Sequence, residues 1–231
     1  DVKLEYWLLG LILIIALFLR LYALGNSPLW IDESISAVAS KNIIEGGFPV
    51  FDSGASYSRA YLFHYAETFF LLFGQNDFNA RIFSVIIGLL TVILAYYIGK
   101  EYSPSGGIIS ALFFAVFYLE IFYSREGRFY QLFQLMFFLS LFLLYKSKDK
   151  KYLIYPAFIS LFITINTQVA GLALVPFFII HILVYDRKHW YLSVIPLIPF
   201  VYHFIGVLSV TSGTETAINY ISGYSGYTTN I

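Results

Sequence analysis

Seven stretches of this chain are each apolar over close to the length a helix needs to cross a bilayer. That repetition decides the fold class before any other feature does. A helix covers a hydrocarbon core of roughly 30 Å with about 20 mostly apolar residues. The runs are 6–24, 82–99, 106–123, 130–145, 152–168, 170–185 and 190–208. Two are short, but tilt and belts of Trp and Tyr blur the ends of a span. Charged residues make up 12% of the chain, against about 25% in soluble domains. The expected fold is therefore an all-α polytopic membrane protein with about seven transmembrane helices. The first run is longer than a signal-peptide core and has no small-residue cleavage site behind it, so it reads as a true span.

The apolar stretch 61–73, "YLFHYAETFFLLF", contains His64 and Glu67. At 1.5 Å per residue it reaches only about 20 Å, too little to cross. Charge placement agrees, because Lys and Arg gather in cytoplasmic loops. With the amino end inside and 61–73 not crossing, Lys3, Lys100, Lys146, Lys148, Lys150, Lys151, Arg187 and Lys188 all lie inside. If 61–73 crossed, "KSKDKK" and "DRKHW" would both move outside. The arginines behave differently. Arg20, Arg59, Arg81, Arg125 and Arg128 lie in or beside outer segments, where positive charge is usually scarce. A guanidinium suits bidentate phosphate binding. It equally suits pairing with the outer acids Asp32, Glu33, Asp52, Glu67, Asp77 and Glu126.

The outer segment 25–81 is long and carries two helical patterns. Residues 32–45 open on acids suited to a helix amino end and stop at Gly46-Gly47. Residues 58–73 form the second pattern, and both suit helices lying along the membrane surface. The transmembrane module is read as 1–208. The polar stretch 209–231 is a further outer loop, or the start of a region beyond an amino-terminal portion.

Several chemistries are excluded or unsupported. The chain has no Cys, so disulfides and thiolate catalysis are absent. Its formal net charge is zero and it has no basic arm, which argues against nucleic acid as a partner. No oligomeric state is read from the sequence. Two constellations remain. Asp32 and Glu33 open the first surface helix, where acids cap amide groups and complement the helix dipole. A carboxylate there can also act as general base toward an acceptor hydroxyl or amine. The loop "YSREGRFYQ", Tyr123 to Gln131, places two arginines, an acid and two tyrosines between apolar helices. Charges held against a membrane need partners and commonly mark function.

The order "RLYALGNSP", "LWIDES", "FLLFGQNDFNARIFSVIIGLLTVILAYYIGK" and "YSREGRFYQLFQLMFFLSLFLLY" resembles the membrane-embedded GT-C glycosyltransferases. Within them it is most similar to the protein O-mannosyltransferase and aminoarabinose-transferase-like group, glycosyltransferase family 39. The resemblance covers roughly residues 15–185 and implies a partial GT-C fold. It implies Asp32 as catalytic base with Glu33 beside it. It places Arg81, Arg125, Arg128, Arg59 and Arg20 toward the donor phosphate, and Glu126, Tyr130 and His64 in the lining of the substrate site. The chain departs from the group at "SYSRAYLFHY", which lacks the usual proline step, and at Asn166 and Gln168, where relatives often carry a His–Tyr pair.

The implied function is inverting transfer of a sugar from a polyprenyl or dolichyl phosphate. The acceptor is a protein, lipid or glycan at the extracytoplasmic face of the cell membrane or endoplasmic reticulum. The resemblance fixes no cofactor, and a divalent metal is compatible. Two other readings stay open: a metal-dependent enzyme like the oligosaccharyltransferases, and a non-catalytic lipid-linked-sugar transporter or membrane-complex subunit. His181 and His203 lie deeper in the apolar runs, where a buried, hydrogen-bonded histidine is the simpler reading.

Overall fold

A computed structural model describes residues 2–51, 57 and 59–201, with side chains from Leu4 onward. Asp52, His203, the end of the seventh apolar run and the tail 209–231 lie outside the described residues. Every regular element among the described residues is helical. In chain order they are α1 (Val2–Leu21), α2 (Ile31–Gly46), α3 (Tyr61–Leu71), α4 (Asp77–Lys100), α5 (Pro104–Val116), α6 (Tyr118–Ser124), α7 (Tyr130–Lys146), α8 (Ile154–Thr167) and α9 (Val175–Tyr185). Short 3-10 turns precede α8 and α9, and another follows α9.

Local chemistry sets the helix ends. The Asn76 side chain accepts the Asn79 amide at 2.9 Å and starts α4. Ser103 accepts the Gly106 amide at 2.9 Å, and Pro104 follows at the first turn of α5, where a missing N–H costs nothing. Gly47, at φ 78°, closes α2 with its amide on the Ile43 carbonyl.

Among the described residues, two helices are long and apolar enough to cross a membrane, α1 over Leu4–Leu21 and α4 over its 24 residues. The bent pair α5–α6 would make a third. The remaining apolar helices are shorter: 17 residues in α7, 14 in α8 and 11 in α9. Thus the fold is that of a helical membrane protein, with two or three spans evident by length and composition among the described residues. The expected seven are not all evident. Trp7, Ile14 and Phe18 on α1 face outward at 62–79% exposure, as a lipid-facing surface would.

Helix α4 is the central post. With α1 and α5 it encloses Leu9, Ala16, Val92, Tyr96 and Ala115. Toward α3 and α7 it packs on Phe63, Leu132 and Leu135. Leu144, Phe158, Leu161, Phe178 and Ile182 then tie α7 to α8 and α9. At Gly88 the α4 backbone admits a close neighbour: a Cβ there would lie 2.5 Å from that of Ser124 and 3.0 Å from Arg20 Nε.

The third apolar run does not form one helix. It bends by 60° at Phe117, whose extended backbone (ψ 128°) ends α5. Carbonyls in the last turn of a helix lack intrahelical partners. Here Arg20, fully buried in α1, supplies them. Its Nη1 donates to the Ala115 carbonyl at 3.0 Å and to Ala16 at 3.2 Å, and Nη2 donates to Phe114 at 3.0 Å. Leaving such buried carbonyls unmade costs about 1–3 kcal/mol each. Arg20→Met is therefore expected to destabilise the fold by ~2 kcal/mol or more, read as a lower Tm in detergent, with Arg20→Lys recovering part of it. An unchanged Tm for Arg20→Met would contradict this role.

Candidate active site

The amino end of α2 meets the loop between α6 and α7 against the start of α4. Adjacent residues on a helix point about 100° apart, so Asp32 and Glu33 face different surroundings. Glu33 turns inward and is 2% exposed, while the Asp32 side chain is 36% exposed.

Glu33 is held by four hydrogen bonds from three partners. Arg81 binds it as a fork, Nε to Oε1 at 2.8 Å and Nη2 to Oε2 at 2.7 Å. The Gly127 amide donates to Oε1 at 2.7 Å and the Trp30 amide to Oε2 at 3.2 Å. One carboxylate thus fixes α4, caps α2 and fastens the α6–α7 loop. The remaining Arg81 donors go to backbone carbonyls: Nη1 to Leu24 at 2.9 Å and Ser27 at 2.8 Å, and Nη2 to Pro28 at 3.2 Å. A guanidinium has five N–H donors, and all five of Arg81 are engaged within the protein.

Arg128 closes over the other acid. Its Nη1 donates to the Asp32 carbonyl at 3.0 Å, Ser36 Oγ at 2.8 Å and the Tyr57 hydroxyl at 3.3 Å. Its Nη2 lies 3.9 Å from Asp32 Oδ2, and the guanidinium stacks over Phe129 with its carbon 4.7 Å from the ring centroid. Asp32, Glu33, Arg81 and Arg128 therefore converge on one rim.

Beside this rim opens a cavity of about 1000 Å³ between the α1–α2 connection, α6 and α7. Much of its wall is aromatic, from Trp30, Tyr118, Phe122, Tyr123, Tyr130 and Phe133. Its polar lining comes from Ser27, Glu33, Arg81, Arg125, Glu126 and Gln134, besides the tyrosine hydroxyls. Arg125 is half-buried there. Its Nη1 donates to the carbonyls of Leu19 at 3.0 Å and Tyr22 at 2.8 Å. Its Nε and Nη2 have no hydrogen-bond acceptor among the described residues. Glu126 is 8% exposed, and its Oε2 is buried without a hydrogen-bond partner. Burial foremost, then the neighbouring Glu33 carboxylate, push its carboxyl up to about 7.

Other residues expected at the site lie elsewhere. Arg20 braces the α5–α6 bend. Arg59 is exposed and forms no ion pair among the described residues. His64 is fully buried between α2 and α3, with Nδ1 3.0 Å from Ser40 Oγ. Ser40 donates to Glu67 Oε2 at 2.5 Å. Burial first, then Arg128, take His64 down to about 3, while burial raises Glu67 well above the carboxylate range. The two side chains lie 3.7 Å apart. Asp32 and Arg128 do not line the cavity, although Glu33 and Arg81 of the same rim do.

Sequence reading passed over Ser36, Tyr57 and Gly127. Ser36 lies three residues after Glu33, on the same helix face; that spacing was the available signal. Nothing in the sequence marks Tyr57 or the Gly127 amide.

Helical elements throughout the described residues, apolar spans and an acid–guanidinium rim define a membrane protein with a candidate enzyme site. The model of the dolichyl-phosphate-mannose-protein mannosyltransferase family matches residues 60–212, about two thirds of the chain, and the chain belongs to that family. It is thus a glycosyltransferase of the mannosyltransferase type, from a family whose description names a dolichyl-phosphate-linked mannose as donor and protein as acceptor. Arg81, Arg125, Glu126, Arg128 and Tyr130 fall inside the matched segment; Asp32 and Glu33 precede it. No curated protein and no solved structure matches the chain.

Proposed function

We propose that this chain forms the membrane module of an inverting glycosyltransferase, taking one sugar from a polyprenyl or dolichyl phosphate and passing it to a protein, lipid or glycan at the extracytoplasmic face. The observation that carries the reading is the approach of Arg128 to Asp32 on a rim whose Glu33 and Arg81 line a cavity, with Arg125 and its uncommitted donors in the same wall. Seven membrane crossings, with α2 and α3 along the outer surface, would bring that cavity to headgroup depth. A lipid-carried donor reaches that depth without leaving the bilayer.

As the sugar–oxygen bond breaks, charge gathers on phosphate oxygens, and a guanidinium in a site short of water stabilises it. Arg125 has the donors for this. Arg81 and Arg128 support it indirectly, the first by fixing Glu33 and the loop, the second by holding the α2 amino end. Asp32 accepts the proton of the incoming nucleophile on the face of the anomeric carbon opposite the phosphate, which inverts that centre. Among the described residues no three His, Cys, Asp or Glu side chains are grouped to hold a metal ion. The family match favours transfer over a transport or scaffold role.

Arg125→Ala is expected to weaken binding of a polyprenyl-phosphate sugar by roughly tenfold or more, the scale of one charge-assisted hydrogen bond to phosphate. Titrating the reconstituted protein with fluorescent donor measures it. Unchanged affinity would remove Arg125 from the donor site and with it the phosphate reading of the cavity.

A further inference from the structure

Three acids and three guanidiniums crowd the rim, and the acids are not equivalently matched. Glu33 takes the Arg81 fork and two amides. Asp32 has Arg128 at 3.9 Å. Glu126, which lines the same cavity wall as Arg125, is left with a buried Oε2 that has no hydrogen-bond partner among the described residues. The charged and titratable groups around it come from every side: Asp32 and Glu33 on α2, Arg81 on α4, Arg125 and Arg128 in its own loop, and Tyr130 at the start of α7. A carboxyl between two other acids, short of water and without a donor on one oxygen, keeps its proton more readily than a solvated one.

We propose that Glu126 is the general acid of the reaction, handing its proton to the lipid phosphate as the sugar leaves. This rests on the transferase reading above. The anomeric carbon–oxygen bond breaks with its electron pair going to the phosphate oxygen, while the acceptor oxygen bonds to the anomeric carbon and loses its proton to Asp32. The Glu126 O–H bond breaks and that proton passes to the phosphate, leaving a lipid phosphate monoester that carries it. The enzyme finishes with Asp32 protonated and Glu126 ionised. Exchange with water restores both, so the net proton movement is from acceptor to lipid phosphate. The geometry suits the step: Arg125 and Glu126 line the same cavity, so a phosphate bound by Arg125 would share that space with the Glu126 carboxyl. An acid poised near the working pH is also the most effective donor, and Glu126 at about 7 meets that condition.

The sign of the pH dependence follows. The proton is present below about pH 7 and is lost above it, so kcat falls on the alkaline side. The full chain is tested in liposomes with dolichyl-phosphate mannose and an acceptor peptide, kcat and donor affinity being measured against pH for the wild type, Glu126→Gln and Glu126→Asp. Glu126→Gln should lower kcat by about 100-fold or more, leave donor affinity within about threefold and abolish the alkaline limb. Glu126→Asp should restore part of both rate and limb. If Glu126→Gln fails to fold, the wild-type and Glu126→Asp profiles carry the test. Turnover by the wild type without an alkaline limb near neutrality, or wild-type kcat in Glu126→Gln, overturns the proposal and leaves the transferase reading standing. A wild type that transfers from no lipid-phosphate sugar overturns that reading and this proposal together.

Discussion

Asp32→Asn is expected to reduce sugar transfer by roughly 10²–10⁴-fold while donor binding stays near its wild-type level, because a general base contributes on that scale and does not grip the donor. The substitution is close to isosteric. The link that locates this residue, Arg128 Nη1 to the Asp32 carbonyl, is a backbone contact and survives it. The side chain is one-third exposed, so its neutralisation leaves no buried charge behind. Single-turnover rates and donor affinity measured on the same preparation separate the two effects. Full turnover in Asp32→Asn would remove it as the base.

The second large effect is structural. Glu33→Gln replaces an acceptor-only group with one that must present an amide N–H to Arg81 or Gly127, and it leaves the Arg81 guanidinium buried without its counter-ion. Breaking one side of a buried pair costs about 3–5 kcal/mol. Arg81→Met should cost a similar amount, since it strands the Glu33 carboxylate and the carbonyls of Leu24, Ser27 and Pro28. Each single variant is expected to lose activity through collapse of the rim. The pair Glu33→Gln with Arg81→Met should lose less stability than the sum of the two, because the stranded charge is gone. Thermal unfolding in detergent across the four proteins gives the coupling. Strictly additive losses would mean that the two side chains do not depend on one another.

The helices were legible because apolar runs and end signals are local. The expected surface helices 32–45 and 58–73 correspond to α2 and α3, and the runs 82–99 and 130–145 to α4 and α7. The break at Phe117 was not legible. Its run carries no Pro or Gly at that point, and what stabilises the bend is a guanidinium from α1, far away in sequence. The same gap between residue type and partner explains the site. The sequence showed two acids and five outer arginines, but not which would be saturated. Arg81 is engaged at all five donors, Arg20 lies in the span and Arg59 stands apart, so only Arg125 both lines the cavity and retains open donors. The unequal fates of Asp32 and Glu33 follow from helical phase once α4 is known to lie on the Glu33 side. That is a tertiary fact no pattern of spacing contains.

The most direct test of the transfer reaction is the configuration of its product. Purified wild-type protein in liposomes would be given β-linked dolichyl-phosphate mannose and an acceptor peptide, and the anomeric linkage formed would be read by NMR. A new α-linked mannosyl product, absent with Asp32→Asn, is the predicted result; retention of the β configuration, or equal product from the two proteins, would contradict single displacement assisted by Asp32.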